Sequence, residues 1–161
     1  MLTINFLPDS DINDYSQSIK EYQAIWNTDG GRIFNALTTL SGCQFRETFI
    51  NAIVYHAKSM SHPLSLRYSL EPDRKRSAFI HELGHRLLNR FVKKPDTLDR
   101  HKFLFLVLYD VFIDLYGENF AKESVEWDSN LGPMYKEAWE FALSFKTKEE
   151  RQGKFKVLMA E

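Results

Sequence analysis

Cysteine is almost missing. Cys43 stands alone, so the chain can form no internal disulfide and build no cysteine-rich zinc framework. Neither sign of charge is in excess. Lys and Arg total 21 and Asp and Glu 22, for a formal net charge of -1, which leaves no basic surplus for nucleic acid. There is no long hydrophobic run. The longest, Phe103 to Tyr109, falls far short of the roughly 20 apolar residues of a membrane span. The opening stretch Met1 to Asp9 has no basic n-region, and its apolar segment is too short for a signal peptide. Repeats and low-complexity tracts are absent as well. These absences lead us to expect a cytoplasmic protein whose partners include neither nucleic acid nor membrane. What is present is core material: 43% hydrophobic residues in a chain of 161, enough for one domain over residues 1–161.

The periodicity predicts an α+β protein dominated by helix. Leu2 to Leu7 alternates apolar and polar residues and reads as a short strand. Asp9, Ser10 and Asp11 are available to cap a helix from about Asn13 to Trp26, which Asp29-Gly30-Gly31 should break. A second short helix follows over Arg32 to Leu40. Thr48 to Tyr55 and Leu64 to Leu70 are rich in β-branched and aromatic residues and read as a hairpin around Lys58 to Pro63, although Thr48 to Tyr55 also suits a helix extension. The sheet should then be small and antiparallel or mixed. Pro72 and Asp73 open a helix running to about Phe91, which Lys93-Lys94-Pro95-Asp96 ends. Leu98 to Tyr116 forms another, stopped by Gly117, and Pro133 to about Lys146 the last. Thr147 to Glu161 is charged and reads as a fraying end.

Within the Pro72 helix stands His81-Glu82-Leu83-Gly84-His85. Residues i and i+4 share a helix face, so His81 and His85 can both reach one metal ion. Zinc accepts imidazole nitrogen at about 2.0–2.1 Å and prefers four ligands. Glu82, beside the first histidine, projects next to the metal and can hold a water as general base.

The stretch Phe79 to Leu88, centred on that motif, resembles the zincin metallopeptidases, in which the two histidines bind zinc and the glutamate is the general base. The resemblance implies a small zincin-like domain, one zinc ion per chain, and a peptide or protein substrate. For the third ligand the long metzincin spacing is excluded, because Leu88 and Phe91 stand where it needs glycine and histidine. Gluzincins use a glutamate on the next helix and an aspartate one turn on. Here the matching helix has no glutamate but carries Asp110 and Asp114, one turn apart in a nearly all-apolar segment. A buried carboxylate needs a partner. By likeness to the gluzincin pattern, Asp110 is expected to be the third metal ligand. Asp114 is expected in the second shell, accepting from a ligand histidine. Glu118, Glu123, Glu126 and His101 are reserve ligands, and Tyr109, Tyr116 and Tyr135 are possible oxyanion stabilisers.

The implied activity is zinc-dependent peptide hydrolysis with Glu82 as base. The alternatives are a zincin-fold binding or regulatory module without hydrolytic activity, and a zinc hydrolase acting on a non-peptide amide. Leu64 to Leu70, just before the motif helix, is where zincins pair an edge strand with an extended substrate. The oligomeric state is not legible in the sequence.

Overall fold

The computed structural model describes residues 2–9, 14–91 and 96–160. Among them the class is α+β and mainly helical, with one three-stranded sheet. The chain gathers into two compact units. The first takes in Met1–Asn35 and Gln44–Leu87, the second Ala36–Cys43 and Leu88–Glu161. No helix among the described residues is long and apolar enough to cross a membrane.

In the first unit the alternating stretch forms strand β1 (Thr3–Pro8), which buries Ile4 and Phe6. Helix α1 (Ser16–Ser41) follows, then β2 (Phe49–Tyr55), β3 (Ser65–Arg67) and helix α2 (Pro72–Leu88). The buried sheet face carries Ile4, Phe6, Ile50, Ala52, Val54 and Leu66. Phe79 of α2 meets it, with its ring 5.6 Å from Phe6 and 6.0 Å from Tyr22 of α1, both edge-on. Lys75, almost fully buried, is paired with Glu21 and lies over the Tyr22 ring.

Two sequence expectations are corrected here. The sheet is neither antiparallel nor mixed. Its order is β1-β2-β3, and both pairings are parallel, with Thr3 opposite Phe49 and Ile53 opposite Ser65. The turn after Lys58 is real, but it closes Met60 antiparallel onto Ser65 rather than β2 onto β3. The strand then re-enters beside β2 in the same direction.

Nor does α1 break at Asp29-Gly30-Gly31; it runs through unbroken. An interior glycine costs a helix about 1 kcal/mol relative to alanine, a penalty rather than a stop. At Gly30 the cost has a purpose, since a Cβ there would lie 2.7 Å from Cδ2 of the Trp26 indole. At Gly31 a Cβ meets nothing within 4 Å. Gly31→Ala is therefore expected to stabilise the protein by about 0.5–1 kcal/mol, and Gly30→Ala to destabilise it. Urea melts of the two variants check this, and stabilisation by both would defeat the packing argument. Of the proposed caps, Ser10 and Asp11 lie outside the described residues. Asp14 accepts from the Ser16 N–H at 3.0 Å instead.

In the second unit, helix α3 (Thr97–Tyr116) is the centre, packed by α4 (Glu118–Ser129), α5 (Pro133–Ser144) and α6 (Lys148–Ala160). A helix with so wide an apolar surface must be covered over most of it, and α3 buries eleven of its residues. Phe105 stacks on Trp139 of α5, Phe103 on Phe155 of α6, and Phe112 meets Phe120 of α4 edge-on. Asp96 caps its start by accepting from the Leu98 N–H. Gly117, at φ 89°, ends it in a conformation other residues resist. The expected fraying end is instead α6, with Arg151 and Phe155 buried. Lys93, Lys94 and Pro95, read as ending α2, lie outside the described residues.

Candidate metal centre

α2 presents its motif as the spacing requires. His81 and His85 lie one turn apart with ring centroids 4.8 Å from each other, and both are buried, at 7% exposure. Glu82 is buried between them in sequence, at 9%. The 3-10 turn Asn89–Phe91 ends the element close to where the sequence put it. Arg86, the next residue after the second histidine, anchors the helix to its own unit. Its Nε donates to Glu47 at 3.0 Å, and its Nη1 donates to the Ser61 carbonyl at 2.9 Å. The half-buried Tyr55 at the end of β2 lies within reach of the Glu82 charge. Burial pushes its phenol up, and the negative charges of Glu82 and Asp9 add to that shift.

On α3, His101 is buried, at 6% exposure. Its Nδ1 lies 2.7 Å from the Thr97 carbonyl, one turn earlier. A carbonyl can only accept, so Nδ1 carries the proton and Nε2 keeps its lone pair for a ligand. That is the usual way a protein orients a metal-binding imidazole. The rings of Phe105 and Tyr135, 5.4 and 4.7 Å away and both edge-on, hold the imidazole in place.

Among the described residues, His81, His85 and His101 make up a metal-capable group. All three are buried, and one ligand nitrogen of each lies within 4.8 Å of the others. Three imidazole nitrogens are a donor set that zinc accepts, leaving a fourth position for water or substrate. The set also suits other first-row metals, so the donors fix a metal-capable site rather than the metal's identity.

The two aspartates go elsewhere. Asp110 is buried, as expected, but its partner is Arg151 of α6. Nε donates to one carboxylate oxygen at 2.9 Å and Nη2 to the other at 2.7 Å. Hydrogen bonds to Asp110 hold the guanidinium further toward its charged form against the opposing effect of burial. Asp114, one turn on, pairs with Lys148 at 2.9 Å and is partly exposed. This replaces the expected roles of Asp110 as metal ligand and Asp114 as second-shell acceptor. The physical reason is helical phase. From residue 101 to 110 is nine positions, and at ~100° each that is two and a half turns. Asp110 therefore lies on the side of α3 opposite His101.

Of the reserve ligands, Glu118 is paired with Lys122 at the surface, and Glu123 and Glu126 are exposed. Tyr109 carries Arg151 over its ring, and Tyr116 packs on Phe120. β3 is at a sheet edge, as expected, but its outward groups are engaged. Met60 and Ser65 exchange both N–H···O bonds, and the Ser59 hydroxyl oxygen accepts from the Arg67 N–H.

Set against protein-family models, curated proteins and solved structures, the chain matches none of them.

Proposed function

We propose that the chain is a zinc-dependent hydrolase of peptide bonds, with His81, His85 and His101 holding one zinc ion and Glu82 as general base. The reading rests above all on one observation, the close approach of three buried imidazoles, two of them on the motif that also carries Glu82. In this reading the resemblance to zincins is kept for the motif helix, with an imidazole in place of a carboxylate as the third ligand. Zinc, when bound, supplies Lewis acidity and lowers the pKa of a coordinated water toward 7. Glu82 takes a proton from the attacking water and returns it to the leaving amine nitrogen. Its low exposure keeps competing water away and strengthens its field at the reacting atoms. The Thr97 carbonyl holds His101 in the tautomer that offers Nε2. The substrate is a peptide or protein, and the protein works in the cytoplasm.

The test is Glu82→Gln, nearly isosteric but unable to accept the proton. It is expected to keep metal stoichiometry and melting behaviour while losing about 10²–10⁴-fold in turnover. Metal analysis beside a peptide-hydrolysis assay checks both halves, and a wild-type rate would overturn the assignment of the base.

One observation favours a second reading. The outward edge of β3 is already bonded to Ser59 and Met60, so it does not offer the backbone ladder with which zincins hold an extended peptide. A zinc hydrolase acting on a smaller, non-peptide amide needs no such ladder, and neither does a regulatory module. Hydrolysis of small amides with no turnover of peptides would select the first of these.

A further inference from the structure

One residue past the ends of β2 and β3 stand His56 and Tyr68. In a parallel sheet the carboxyl ends of all strands open on the same side, the side on which α/β proteins place their ligands. The start of α1 brings Asp14 and Tyr15 there too, and the four residues line a cavity of about 400 Å³. We propose that this cavity binds an alkylammonium cation, a quaternary or methylated amine.

The walls are aromatic and angled. The Tyr15 and Tyr68 rings have centroids 5.3 Å apart and are tilted by 57°, so they form a corner rather than a flat stack. The faces of such rings are negative and attract a cation within about 6 Å, which is how aromatic cages take quaternary ammonium groups. Each wall is pinned from behind. The Tyr68 N–H donates to the Tyr55 carbonyl at 2.9 Å, and the Tyr68 carbonyl accepts from the Ser18 hydroxyl at 3.2 Å. The Tyr15 carbonyl accepts the Ile19 N–H at 2.9 Å. Tyr68 is thereby held although 42% of it is exposed, and an exposed aromatic held this way is suited to binding.

Charge selects the ligand. The Asp14 carboxylate is hydrogen-bonded by Ser16, through hydroxyl and N–H, which lowers its pKa and keeps it ionised at neutral pH. An anion would meet that carboxylate and two ring faces. A neutral apolar group would gain the rings but no partner for the charge. A cation meets both. The proposal is independent of the metal centre, since none of the four residues belongs to it.

The experiment is a titration of the intact protein with choline, followed through the tyrosine ring resonances by NMR. A neutral analogue with carbon in place of the quaternary nitrogen serves as control. Choline is expected to bind in the millimolar range, and the neutral analogue at least about fivefold more weakly. Tyr68→Leu should remove binding. Asp14→Asn, which keeps a capping side chain, should weaken it about three- to fivefold, the contribution of an exposed ion pair. A trimethyllysine peptide that binds more tightly than choline assigns the cation to a protein partner, while equal affinity assigns it to a free small molecule. No choline binding, equal binding of the neutral analogue, or wild-type binding by Tyr68→Leu would overturn the proposal.

Discussion

Arg151→Met is expected to lower folding stability by about 3–5 kcal/mol, the usual cost of leaving one partner of a buried ion pair without the other. Both side chains are shielded, Arg151 at 6% and Asp110 at 4% exposure, so water can do little to compensate the stranded carboxylate. The loss has three parts. Two charge-assisted hydrogen bonds to Asp110 disappear. The donors to the Phe145 and Lys146 carbonyls go with them. The cation over the Tyr109 ring is removed. The companion variant separates charge from packing. Replacing both residues, Asp110→Leu with Arg151→Met, removes the stranded charge and is expected to recover most of the loss, because apolar pairs often substitute for buried ion pairs at little cost. Urea melts of the single and double variants give the comparison. A single variant as stable as wild type would mean that the pair is not held in the dry interior described here.

His101→Ala is expected to abolish tight zinc binding, while Asp110→Asn leaves affinity where it was. The two variants test opposite assignments of the third ligand. Removing an imidazole leaves two neutral donors on one helix turn, which hold zinc poorly, so affinity should fall by more than the 10–100-fold typical of a supporting contact. Asp110 faces Arg151, half a turn away from His101, and in the proposed site it is not a ligand. Competition with a chromogenic chelator measures both. If Asp110→Asn loses zinc and His101→Ala retains it, the aspartate assignment returns. Asp110→Asn also weakens the Arg151 pair, so its melting temperature must be checked before its affinity is compared.

The part of the site on α2 was legible in the sequence because it is local. A four-residue spacing on a helix puts two histidines on one face whatever the rest of the chain does. The third donor, His101, stood only among the reserve ligands, because phase along one helix does not say which neighbour covers which side. A buried aspartate needs a partner, and Asp110 has one. Nothing short of α6 in place identifies that partner as Arg151, since residues 147–161 carry so much charge that they read as solvated. One available signal pointed to His101. With Phe105, Leu108 and Phe112 it makes an i, i+4, i+7, i+11 stripe, and Asp110 and Asp114 lie on the other face. In the fold, the boundaries of α2, α3 and α5 followed from Pro72, Gly117 and Pro133. Strand direction did not, because a tight turn after Lys58 looks the same whether it closes a hairpin or, as here, a single bridge before a parallel return. The continuity of α1 was hidden for another reason. Gly30 is a concession to the Trp26 indole on its own helix, and glycine in a sequence does not announce whether it marks an end or a close contact.

Asp110 and its guanidinium partner are 41 positions apart, and Phe103 waits still longer for Phe155. A ribosome therefore delivers α3 well before the chain that covers this side of it. Until residue 151 has been made, the Asp110 carboxylate lacks the guanidinium that it meets in the fold. The ion pair buried in the second unit is thus among the latest of its contacts to become possible as the chain is made, its two partners being 41 residues apart.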